Sequence, residues 1–126
     1  MHKNLIILFF FAALSVNAQD TINLNGVCRD SSGTSFANCY AIITQKGSKI
    51  TFSHYIEFNG QPFVEFGQGS LKRRTIKYKV KVTKQIPGWA TTGEHELTLS
   101  ADGKTLRGFY HDGKGNTGPM VLKRVH

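Results

Sequence analysis

Past its first twenty residues the chain has no long apolar run, so nothing in that part has the roughly twenty apolar residues of a membrane-crossing helix. It also lacks any convincing stretch with apolar residues at helical spacing, which argues against a helical bundle. Cysteine is scarce: Cys28 and Cys39 are the only two, too few for a structural zinc site built from cysteine alone. Acidic residues are few, 8 against 16 lysines and arginines, so there is little material for a paired acid and base. No Gly-x-Ser-x-Gly elbow, His-Glu-x-x-His pair or glycine-rich phosphate loop is present. Glu94-His95-Glu96, His111-Asp112 and His54 raise the question of a metal, but strand neighbours point to opposite faces and cannot share a site by local spacing. The expectation is no catalytic centre, no metal and no cofactor.

What is present begins with an address. Met1-His2-Lys3-Asn4 is a short positive start, Leu5–Leu14 is apolar, and Ser15-Val16-Asn17-Ala18 offers small or uncharged residues to a peptidase. That order is a secretory signal. The apolar run is about half of what a bilayer needs. Cleavage near Ala18 is expected, leaving residues 19–126 as one domain in the periplasm or outside the cell. An oxidising compartment favours a disulfide between Cys28 and Cys39, contributing about 2–3 kcal/mol.

The remaining chain reads as short strands parted by turn signals. Thr21–Arg29, Cys39–Lys46 and Lys49–Phe58 come first. In the third, Ile50, Phe52, His54, Ile56 and Phe58 alternate with Lys49, Thr51, Ser53, Tyr55 and Glu57, a period of two. Asn59-Gly60 is a strong hairpin signal because both residues tolerate positive φ. Pro62–Phe66 follows, with Gly67 and Gly69 expected to bend the chain. Arg73–Thr83, Glu94–Ser100, Lys104–Tyr110 and Met120–Val125 complete eight strands. Strands with one apolar face, joined mostly by tight turns, must close on themselves or pack as two sheets. The expected fold is all-β: an eight-stranded antiparallel up-and-down barrel, with a two-sheet sandwich as the alternative.

Three segments carry a resemblance: Leu24-Asn25-Gly26, Leu97 to Gly108, and Leu122-Lys123-Arg124. With the strand pattern of the whole exported part, they resemble a small bacterial lipocalin-like (calycin) barrel. Such barrels carry Gly-x-Trp on the first strand, the tryptophan packed against an arginine of the last. Here Gly26-Val27-Cys28 puts cysteine in that place, Arg124 matches the arginine, and the sole tryptophan, Trp89, lies in a later loop. The resemblance implies a small apolar ligand inside the barrel and no catalysis.

On the inward faces, Phe52, His54, Tyr78, His95 and Tyr110 are the candidate ligand contacts. His54 interrupts an apolar face, where a polar group must be hydrogen-bonded or cost stability. Tyrosine adds an apolar body with a polar tip, which suits a ligand cavity and an ordinary core alike. The net charge of +8 suggests a second use. Arg73, Lys77, Lys79 and Lys81 could dock on an anionic polymer, a membrane surface or an acidic protein, or could simply form a solvated strand face. Export argues against nucleic acid. A third possibility is inhibition of an extracellular enzyme, although no inhibitory loop is recognisable.

Overall fold

The computed structural model describes residues 21–33 and 37–125. The expected signal segment, 1–18, lies outside the described residues. Eight strands follow one another: β1 (Gly26–Asp30), β2 (Ala37–Lys46), β3 (Lys49–Phe58), β4 (Gln61–Lys72), β5 (Thr75–Lys84), β6 (Thr92–Leu99), β7 (Thr105–Asp112) and β8 (Thr117–Arg124). Each pairs antiparallel with the next, and β1 pairs with β8, so the sheet is a closed up-and-down barrel. Closure removes the two-sheet alternative. It also leaves no sheet edge for mispairing. No helix occurs among the described residues.

The period of two decides which side chains point inward. Ile50, Phe52, His54 and Ile56 of β3 are buried, as are Ile76, Tyr78 and Val80 of β5 and His95, Leu97 and Leu99 of β6. In β8, whose inward face the sequence leaves ambiguous, Met120 and Leu122 point in. The largest departure from expectation is β4, which runs on through Gly67 and Gly69 to Lys72. These glycines let β5 lie close. A Cβ on Gly69 would stand 1.9 Å from the Lys77 carbonyl oxygen and 2.5 Å from Tyr78 Cα. A Cβ on Gly67 would stand 2.9 Å from the Tyr78 ring. The glycines thus make room for Tyr78 rather than ending the strand.

The first expected strand is shorter than its apolar pattern suggests. Residues 21–25 are not paired as strand. Instead Leu24 is buried in the main core cluster and Ile22 packs against it. The Leu24 amide donates to Gln45 Oε1 at 2.8 Å, and Arg124 Nη2 donates to the Asn23 carbonyl at 2.8 Å. Gly26, at φ 150°, turns this segment into β1. The segment closes the barrel end that also carries the β2–β3, β4–β5 and β6–β7 turns.

The structure does not show the expected disulfide: Cys28 and Cys39 are both buried and unbridged in it. The register gives the reason. Cys28 lies opposite Ala41, so Cys39 is its diagonal neighbour two residues along β2. Such diagonal pairs sit about 7–8 Å apart, beyond the usual disulfide span of about 4.4–6.8 Å between Cα atoms. The two thiols also belong to different apolar clusters. Cys28 packs with Phe52, Tyr78, Leu97 and Leu122 near the closed end, and Cys39 with Ile56, Phe63 and Ile86 towards the other.

Candidate functional site

Between those two apolar clusters lies a layer of buried polar groups, placed there by strand register. Asn59 and Gly60, at φ 50° and 72°, form a two-residue turn with both residues left-handed, the hairpin geometry that matches strand twist. It sets Phe58 opposite Gln61 and therefore His54 opposite Glu65. Register across β5, β6 and β7 sets Tyr78, His95 and Tyr110 in one row. Asp30, at the end of β1, reaches the same layer from the far wall.

The contacts form one connected chain. His54 Nε2 donates to Asp30 Oδ2 at 2.9 Å, and His54 Nδ1 donates to Glu65 Oε1 at 3.0 Å. The Ser32 amide donates to Asp30 Oδ1 at 2.8 Å. His95 Nε2 lies 3.5 Å from the same Glu65 Oε1. On its other side, His95 Nδ1 is 2.9 Å from the Tyr78 hydroxyl. With Nε2–H turned to the carboxylate, Nδ1 is the acceptor and the Tyr78 hydroxyl donates. Every link then has one donor and one acceptor, as a buried network requires.

The two histidines are driven to opposite charge states. Burial pushes His54 towards neutrality, but its hydrogen bonds to Asp30 and Glu65 and their charges outweigh this and lift its pKa to about 9. Burial likewise opposes the Asp30 carboxylate, yet the hydrogen bonds from His54 and Ser32 hold its pKa below the usual value. For His95 burial wins: its pKa falls to about 4, with the nearby Glu65 opposing and the His54 cation reinforcing the fall. Tyr78 is so deeply buried that its phenol stays protonated. At neutral pH the layer therefore holds a cationic His54 between two carboxylates, beside a neutral His95.

Above this layer the barrel is hollow. A cavity of about 620 Å³ opens towards the end carrying the β5–β6 and β7–β8 connections. That volume falls in the range of roughly 300–1,000 Å³ typical of small-molecule sites. Its floor is Asp30, His54, Glu65 and His95, and its apolar walls include Ile56, Phe63, Val80, Val82 and Met120. Trp89 also lines it, packed at a tilt against Phe58 and Phe63 with ring centroids 5.3 and 5.2 Å away. The tryptophan reaches the cavity from the β5–β6 connection.

Of the five candidate contacts, His54, His95 and Tyr110 line this cavity. Phe52 and Tyr78 lie beneath it, fully buried, with ring centroids 4.5 Å apart. They form the packed support on which the histidines rest. Asp30 and Glu65 are not among the candidate contacts that the sequence offers: Asp30 lies just past the expected first strand, and no carboxylate stands out on an inward face. Counting equally back from the Asn59-Gly60 turn would have found Glu65 opposite His54. Among the described residues, no three histidine, cysteine, aspartate or glutamate side chains are grouped to hold a metal ion.

The basic row divides. Lys77, Lys79 and Lys81 are exposed on the outer face of β5. Arg73 sits instead in the β4–β5 turn at the closed end, at φ 58°. The neighbouring strand partly neutralises the lysines: Lys77 Nζ is 3.2 Å from Glu94 Oε1, and the register sets Lys79 opposite Glu94 and Lys77 opposite Glu96. The sequence matches no protein-family model, and no curated protein is significantly similar to it.

Proposed function

We propose that this protein is an exported, lipocalin-like carrier that holds a small amphipathic molecule inside its barrel. The observation that carries the reading is the cavity of about 620 Å³, apolar on its walls and polar at its floor. A well-packed interior seldom leaves more than water-sized voids, so a hollow of this size is space for a guest. Burying the guest's apolar body against Ile56, Phe63, Val80, Val82 and Met120 supplies affinity. The floor fixes its orientation through a few placed polar groups. The basic outer surface is the weaker alternative, because Glu94 and Glu96 lie across from its lysines. Among the described residues, no arrangement supports an inhibitory role.

The test uses native mass spectrometry on the exported protein beside a denatured control, together with titration of the apolar dye N-phenylnaphthylamine. A bound mass lost on denaturation, or saturable dye fluorescence, is expected. Val82→Phe, which fills the cavity from its wall, should weaken dye binding at least about tenfold while the protein stays folded. A bare mass together with no dye binding would sink the carrier reading.

A further inference from the structure

The charges around the cavity do not mirror those of the chain. Lysine and arginine outnumber aspartate and glutamate 16 to 8 in the whole sequence. Yet among the described residues lining the cavity there is no lysine or arginine, whereas Asp30, Glu65 and Asp112 all line it. An anionic guest would find no lysine or arginine there, and both ring nitrogens of His54 are taken by Asp30 and Glu65. Asp30 is satisfied too, with one oxygen accepting from His54 and the other from the Ser32 amide.

Glu65 differs. Its contacts with His54 and His95 both fall on Oε1, and its side chain is only 8% exposed while lining the cavity. Neither contact uses the second oxygen, Oε2, and Glu65 itself lines the hollow. Two carboxylates around one imidazolium leave the floor one negative charge in excess, and the neutral His95 does nothing to offset it. A buried, uncompensated negative charge is costly until a cation or strong donor meets it.

Resting on the carrier reading, we infer that the guest is an organic cation: a protonated amine on an apolar body, its N–H groups directed at Glu65 Oε2. The ammonium supplies the missing counter-charge and hydrogen bonds, and the apolar body fills the space up to Trp89. Aromatic faces at Trp89, Phe63 and Tyr110 also tolerate a passing cation better than an anion.

A probe series separates this from the carrier reading. Octylamine, octanol and octanoic acid share an apolar tail of similar size and differ in head-group charge at pH 7. Each competes with bound N-phenylnaphthylamine on the wild-type protein. Octylamine should displace the dye at least about tenfold more effectively than octanol, with octanoic acid the weakest, since charge-assisted hydrogen bonds are about twice as strong as neutral ones. Glu65→Gln, if it folds, should erase the amine's advantage and leave octanol unchanged. The wild-type ranking decides the matter even if that variant does not fold. Octanol or octanoic acid binding as tightly as octylamine would overturn the cation and leave the carrier standing. A dye that never binds would overturn both.

Discussion

His54 occupies a position where alternation asks for a hydrophobe, and burial alone would discharge it. Asp30 and Glu65 reverse that, and the reversal sets a pH dependence. The proton of His54 is held more tightly in the folded state, at about 9 against an ordinary 6.5. Its contribution to stability is therefore complete below pH 6.5 and lost as pH rises through about 9. His95 runs the other way. With a folded value of about 4, it leaves the unfolded chain to take up the proton first, so stability falls between pH 6.5 and about 4. Asp30, held below 3.8, adds stability that is lost only at still lower pH. Calorimetric melting should therefore peak near pH 6.5. His54→Phe should flatten the alkaline limb and cost about 3–5 kcal/mol, because it leaves buried carboxylates unpaired. His95→Phe should flatten the limb between pH 6.5 and about 4 and cost about 1–3 kcal/mol, through the orphaned Tyr78 hydroxyl. An alkaline limb that survives in the His54 variant would assign that limb to another group and sink this account of it.

The strands themselves differ in how openly the sequence declares them. β3 is legible from end to end, because its alternation is unbroken and turn residues flank it on both sides. β4 is not, because glycine carries two opposite meanings. At Gly47, φ is 60° and nothing lies near a Cβ, so the residue serves the turn. At Gly69 the residue serves a close approach of β5. Gly47→Asn should change stability by less than about 0.5 kcal/mol, since asparagine tolerates the left-handed region. Gly69→Asn should cost more than about 2 kcal/mol, because the obstructing atoms are backbone of β5. Urea denaturation of the two variants distinguishes them; equal losses would show that β5 can move aside. The hairpin at Asn59-Gly60 had more to say than the strands it joins, since its two-residue length already pairs His54 with Glu65.

For the molecule as a whole, closure supplies the stability that a staple would give so small a domain. With β1 paired to β8 and Leu24 sealing one end, the core is complete without a bridge between Cys28 and Cys39. Protein unfolded without reductant should therefore take up two equivalents of iodoacetamide, read by mass, and its melting temperature should not change when reductant is added. Failure of both cysteines to react would establish a bridge. The same closure sets where the proposed guest would be held. Large side chains such as Phe52, Tyr78, Leu97 and Leu122 fill the closed half, and the cavity lies in the other half.

The sequence by itself determined the class of fold, the inward side of most strands and the presence of histidine on apolar faces. Each of these follows from alternation and turn chemistry over a few neighbouring residues. Tertiary structure decided the rest: that the cysteines lie on a diagonal, that Phe52 and Tyr78 support the floor while His54, His95 and Tyr110 line the cavity, and that Glu65 lines it beside His54. Those outcomes depend on register between strands and on how side-chain volumes add up around the ring. Neither quantity exists until all eight strands have closed.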